Sequence, residues 1–154
     1  MSVEIERKFL VRGSAWKVLG QGVAIRQGYL STNPDRVVRV RIEDESATLT
    51  IKGRTKGITR GEWEYAISLE EADQLLNDLC ERPLIEKTRT RVVYEGMVWE
   101  VDEFFGDNLG LVVAEIELES EEQSFSKPDW IAEEVTDDAR YFNANLLRHP
   151  FSDW

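Results

Sequence analysis

Charged side chains recur at every second position along several short stretches of this 154-residue chain. Glu4, Glu6 and Lys8 alternate with Val3, Ile5 and Phe9, and Arg39 and Arg41 alternate with Val38, Val40 and Ile42. Lys52 follows Ile51, Glu62 and Glu64 flank Trp63, and Lys87, Arg89 and Arg91 share one parity; Glu100 with Asp102 and Glu115 with Glu117 complete the series. Residues two apart on a strand point the same way, roughly 7 Å apart, so each stretch carries one ionic and one apolar face. The carboxylates suit hard cations such as Mg²⁺ or Mn²⁺, which keep waters and substrate phosphate oxygens in their shell. Glu4, Glu6, Glu115 and Glu117 head that candidate metal set, and Asp102 is included in it. Guanidinium forks and compact ammonium groups suit a chain of phosphates, and Lys8, Arg39, Arg41, Lys52, Lys87 and Arg89 would line its path. Metal and cations together would neutralise a leaving phosphate oxygen and hold an in-line water, which supplies most of what phosphoryl transfer requires.

A sheet with one solvated face produces the same alternation on any single strand. Two features of the whole set favour an enclosed ionic face. The opposite face carries large apolar residues on nearly every strand and needs covering. The charges are also sorted by strand, acids on the first, fifth, seventh and eighth and bases on the third, fourth and sixth. Eight strands close into a barrel whose interior is wide enough for side chains or one small ligand. The expected fold is therefore α+β and mainly antiparallel β, a closed eight-stranded barrel with a charged interior and helices packed outside. Because each charge removed from water costs several kcal/mol unless paired, such a lumen must be wet, internally paired and matched to a charged ligand.

The elements that would position these residues are legible. Alternation predicts strands over residues 3–11, 23–30, 36–43, 46–53, 60–67, 85–94, 97–105 and 111–119. Asn33-Pro34-Asp35, Glu43 to Ser46 and Glu95-Gly96 supply turn chemistry between them. Ser68 and Glu71 form a capping-box pattern, and Leu69, Ala72, Leu75, Leu76 and Leu79 recur at helical spacing before Pro83. A short helix over residues 14–19 is predicted, as is a C-terminal helix capped by Thr136 and running through Tyr141, Leu146 and Leu147.

Length suits one domain over residues 1–154. A net charge of −11 repels nucleic acid and anionic lipid at long range, and no apolar run reaches the length of a membrane span. The N-terminus lacks the order of a secretory signal, and Cys80, the only cysteine, excludes an intrachain disulfide; a reducing cytoplasm is the expected location. His149 sits beside Pro150 at a chain end and reads as solvated, while Trp63 and Trp99 fall opposite the ionic residues and read as packing or a dimer interface. The apolar faces lead us to expect a homodimer.

The series resembles the CYTH superfamily, the triphosphate tunnel metalloenzymes, whose N-terminal signature Glu-x-Glu-x-Lys matches Glu4, Glu6 and Lys8. The resemblance extends through Gln27 to Leu30, Val38 to Ile42, Leu49 to Gly53, Glu86 to Arg89, Trp99 to Phe104, Ala114 to Leu118 and Glu133 to Leu146. It implies an eight-stranded tunnel in which paired glutamates hold Mg²⁺ or Mn²⁺ and basic strands hold phosphates. Short single-domain members are similar to this chain, and the activity implied is hydrolysis of inorganic tripolyphosphate to pyrophosphate and phosphate. The resemblance further implies catalytic roles for Glu4, Glu6 and Lys87, the lysine orienting or activating water. Glu62 and Glu64 would pair with the basic residues, and Tyr29 with the C-terminal helix would close one mouth. A class IV-type adenylyl cyclase, a thiamine triphosphatase, or a non-catalytic polyphosphate- or nucleotide-binding protein are the competing readings of the same site.

Overall fold

The computed structural model describes residues 1–154. Eight strands follow the predicted alternation closely, β1 (Ser2–Val11), β2 (Gly22–Ser31), β3 (Arg36–Glu43), β4 (Ser46–Gly53), β5 (Thr59–Ile67), β6 (Ile85–Tyr94), β7 (Met97–Phe104) and β8 (Val112–Glu117), and a ninth, β9 (Ile131–Glu134), is unpredicted. Every pairing is antiparallel, in the order β5-β4-β3-β2-β6-β7-β8-β1, and β1 returns to pair with β5, so eight strands close a barrel. Closure requires β1 to serve two neighbours on one edge. Residues 2–5 pair with β5, and from Phe9 onward β9 takes over that edge, matching Phe9 to Glu134 and Val11 to Ile131. Without β9 that edge would leave backbone donors and acceptors unpaired. The β6–β7 hairpin turns on Glu95-Gly96, both at positive φ (48° and 79°), the two-residue geometry whose twist matches the strands and which glycine adopts without steric penalty.

The outward apolar faces are covered by the chain itself. Helix α1 (Leu69–Asp78) starts at Ser68, whose hydroxyl accepts from Glu71 N–H as expected. It lays Ala72 and Leu76, both fully buried, on Val40 and Ala47 of β3 and β4. Gly28 lets this cover sit close: a Cβ there would come within 2.7 Å of Leu84 and 2.9 Å of Cys80. On the other side Trp16, Trp130, Ile131 and Leu118 cover Phe9, Val101, Ala114 and Ile116 around Trp99, with Phe9 and Trp99 edge-to-face at 5.4 Å. Trp99 is thus a core residue. No helix is long and apolar enough to cross a membrane.

Two predicted helices are corrected. Residues 14–19 form only a 3₁₀ turn, Ala15–Val18. The C-terminal helix is replaced by three short 3₁₀ turns, Ala139–Tyr141, Asn143–Leu147 and Phe151–Asp153. Thr136 is not its cap: its hydroxyl accepts from Lys8 N–H at 3.0 Å, while Asp138 accepts from Arg140 N–H. Asp138 and Asn145 divert backbone groups into local side-chain bonds, the latter donating to Ala139 O, which is how such residues compete with α-helix.

The interior is not ionic along its whole length. The same inward rows that begin as Lys8, Arg39, Lys87, Asp102 and Glu115 pass, two residues along each strand, to Leu10, Val37, Ile85, Phe104 and Val113. Tyr29, Leu111, Tyr141, Leu146 and Leu147 pack among these to form a conventional apolar cluster. One end of the barrel is therefore filled and sealed by the C-terminal turns.

Candidate active site

The remaining inward surface encloses a cavity of about 790 Å³ lined by β1 to β8 and by Phe142 to Asn145. Its lining carries acids and bases in equal number, so their distribution, not their balance, determines what it binds. The sheet order converts the strand-by-strand sorting of sign into two continuous arcs. Because β5 pairs with β1, the acidic strands β7, β8, β1 and β5 are consecutive around the barrel; β4, β3, β2 and β6 form the opposite, basic arc.

Two lysines stand within or against the acidic arc. Lys8 Nζ lies 2.9 Å from Glu115 Oε1 and 3.6 Å from Glu6. Lys52 Nζ lies 3.0 Å from Glu4 and 3.5 Å from Glu62. Burial pushes Glu115 up, but Lys8 and Arg89 outweigh it and hold the group well below the usual carboxylate range. Glu6 is the opposite case: burial raises it well above that range, and the neighbouring Glu115 and Glu4 charges add to the effect beyond what Lys8 offsets. Glu117, directly across from Glu6 in the β1–β8 ladder, is likewise raised by burial and by Glu4, Glu62 and Glu100.

In the basic arc, Arg89 binds Asp102 through both nitrogens of its fork (2.7 and 2.9 Å), and Lys87 Nζ meets the same carboxylate at 2.7 Å. Asp102 is 1% exposed and is held at about 2, its burial overcome by Lys87 and Arg89. It is not among the residues that line the cavity, and both its oxygens are engaged by Lys87 and Arg89. Arg39 and Arg41 have no carboxylate partner. Arg39 donates to Thr50 Oγ1 at 3.4 Å and its buried Nε has no partner at all. Arg41 donates to Gln27 Oε1 at 2.8 Å; burial and the Arg39 and Arg89 charges pull it down to about 10. Two adjacent guanidiniums without counter-charge, Arg39 buried and Arg41 half-buried, favour an anion, because an unpaired charge shielded from water is the costly state.

No three carboxylates are drawn together as a ready metal centre. The donor set nevertheless fits a divalent cation. Glu4, Glu6, Glu115 and Glu117 are oxygen donors crowded by like charge, and Mg²⁺ is bound through one or two carboxylates plus phosphate oxygens and waters rather than in an all-protein cage.

Glu4, Glu6, Lys8, Arg39, Arg41, Lys52, Lys87, Arg89, Glu115 and Glu117 thus all line the cavity, as do Glu62 and Glu64. Glu62 meets Lys52, and Glu64 reaches Arg39 only through Thr50. Tyr29 is 3% exposed and packed with Tyr141, Leu146 and Leu147 into the apolar end. Sequence reasoning missed Gln27 and Asn143. Gln27 has the parity of Tyr29 and could have been placed inward by the same rule; nothing local marks Asn143.

Similarity to known proteins accords with this geometry. The CYTH domain matches residues 2–149. An inorganic triphosphatase of Acetivibrio thermocellus is 51% identical over all 154 residues, which cover 99% of that protein. Another, from Nitrosomonas europaea, is 37% identical over 147 residues, 93% of this chain and 95% of that one. The crystal structure of the inorganic triphosphatase NE1496 superimposes with a TM-score of 0.68 at 34% identity, covering 96% of this chain and 95% of the other. With a barrel closed in this order, sorted arcs inside it and the domain match spanning nearly every residue, the chain belongs to the CYTH family.

Proposed function

We propose that this chain is an inorganic triphosphatase that hydrolyses tripolyphosphate to pyrophosphate and phosphate with Mg²⁺ or Mn²⁺, in a reducing cytoplasm. The observation that carries the reading is the pair of carboxylate-free guanidiniums, Arg39 and Arg41, lining the cavity and facing an acidic arc short of cations. A polyanion accompanied by a divalent metal complements both at once. Arg39, Arg41 and Arg89 bind the phosphate oxygens, with Lys8 and Lys52 supplying point charge where the chain meets the acidic arc. Glu4, Glu6, Glu115 and Glu117 would hold the metal, which supplies Lewis-acid stabilisation of the phosphate oxygens. Lys87 orients the attacking water. Burial, with Arg89 and Arg41 nearby, draws its ammonium down to about 7 despite Asp102, so near neutrality its protonation responds to the anionic charge bound beside it.

The cavity favours an inorganic chain over a nucleotide or thiamine ester, since Tyr29 and Phe142 are its only aromatic lining and Tyr29 is 3% exposed. Phosphate release from tripolyphosphate, ATP and thiamine triphosphate, measured side by side with each metal, tests the reading. We expect tripolyphosphate to be turned over fastest, with activity abolished by chelation and by Glu4→Gln combined with Glu6→Gln. Turnover that persists through either treatment would overturn it.

A further inference from the structure

We propose that Asn143 is a positioning residue for this reaction: its side-chain oxygen holds Lys87 and, through Gln27, Arg41 at the angles from which they meet the substrate. The inference rests on the triphosphatase reading above. Asn143 opens the 3₁₀ turn Asn143–Leu147 and is the polar side chain by which the sealing C-terminal segment touches the basic arc. Its Oδ1 accepts from Lys87 Nζ at 2.9 Å and from Gln27 Nε2 at 3.1 Å.

The polarity of this network is dictated from one end. Arg41 can only donate, so the Gln27 atom it meets must be the amide oxygen. That turns the Gln27 nitrogen toward Asn143 and Tyr29, and the Asn143 atom facing it must then be oxygen, which is also the atom that can accept from Lys87. Gln27 is fully buried and Lys87 is 2% exposed, so both donors are shielded from bulk water, while the acceptor Asn143 is half-buried at the cavity wall. At Lys87 the consequence is directional. Asp102 at 2.7 Å and Asn143 at 2.9 Å take two of the three tetrahedral positions of Nζ, with the Phe104 ring 5.4 Å away. The third position is left for the cavity that Lys87 lines. Without Asn143 the amine keeps Asp102 but can swing about that single contact.

Attachment of the C-terminal segment does not depend on this bond, because Tyr141, Leu146 and Leu147 are buried in the apolar end. The test compares Asn143→Ala and Asn143→Leu with the wild type on tripolyphosphate. Leucine restores the volume without the acceptor. We expect both variants to lose about 10- to 100-fold in kcat, the scale of a small misplacement of a reacting group, while KM moves by no more than about threefold. The thermal midpoint should shift by no more than about 4 °C. In a Lys87→Met background, Asn143→Ala should cost markedly less than in the wild type, because residues acting through one another are not additive. Wild-type kcat in the leucine variant, full additivity with Lys87→Met, or unfolding of both variants would overturn the proposal while leaving the triphosphatase reading intact. An inactive wild type would overturn both.

Discussion

The two ends of the barrel interior are built from the same strands and the same side-chain parity, yet they obey opposite rules. At one end Ile85, Phe104, Val113 and Leu146 are packed to near-zero exposure and contribute the stability that apolar burial normally supplies. Two residues along, Lys87, Asp102 and Glu115 occupy the same rows and are buried as charges. Each charge at this end carries a desolvation penalty, offset where a partner exists, as for Lys87, Asp102 and Glu115, and left without a carboxylate at Arg39 and Arg41. The contrast separates what holds the molecule together from what it is for: the apolar end and the outer covers stabilise a frame, and the ionic end is kept in a state that ligand completes.

The strongest way to break this contrast is to remove the unpaired guanidiniums. Arg39→Ala with Arg41→Ala should reduce kcat/KM by about 10²- to 10⁴-fold, taking each charged hydrogen-bonding group at about 1.5–3 kcal/mol. Because the two cations repel each other and Arg89, the thermal midpoint should hold or rise. A falling midpoint with unchanged kcat/KM would instead make these arginines structural. Leu146→Ala probes the other end and should show the reverse pattern, a loss of about 2–5 kcal/mol in denaturant unfolding, with kcat well below the new midpoint reduced less than in the arginine variant.

A smaller effect sharpens the boundary between the ends. Lys87 is held at about 7, below its ordinary value, chiefly by burial. A bound polyanion restores its proton, so binding of a non-hydrolysable triphosphate analogue at pH 8 should take up close to one proton per site. Calorimetry in buffers of different ionisation enthalpy reads that uptake, and Lys87→Met should remove it. For stability the sign follows from a folded-state value that is lowered. The unfolded chain binds the extra proton between about 7 and 10.5, so stability rises with pH across that window, and the full penalty is present below it. Asp102 works at the acid end: its value of about 2 against 3.8 contributes stability that is lost as pH falls from about 4 toward 2.

Much of this was legible without coordinates because a strand's period of two is local. The parity of Glu4, Glu6 and Lys8, or of Arg39 and Arg41, follows from backbone geometry alone, and so do the eight strand positions, the Ser68 cap and the sorting of sign by strand. The short Ile131–Glu134 strand carries too few residues to show alternation, and it exists because the edge of β1 needs a partner after β5 departs.

What sequence alone determined, then, was which side chains share a face and what chemistry those types could perform. Only the tertiary structure decided who stands beside whom. The pairing of β2 with β6 and of β5 with β1 gathers like-charged strands into arcs, and the β6–β7 register sets Asp102 beside Arg89. Asn143 reaches Lys87 across 56 positions of sequence. Those allocations depend on long-range closure, in which a carboxylate takes the partner that packing brings nearest, and no local period carries that information.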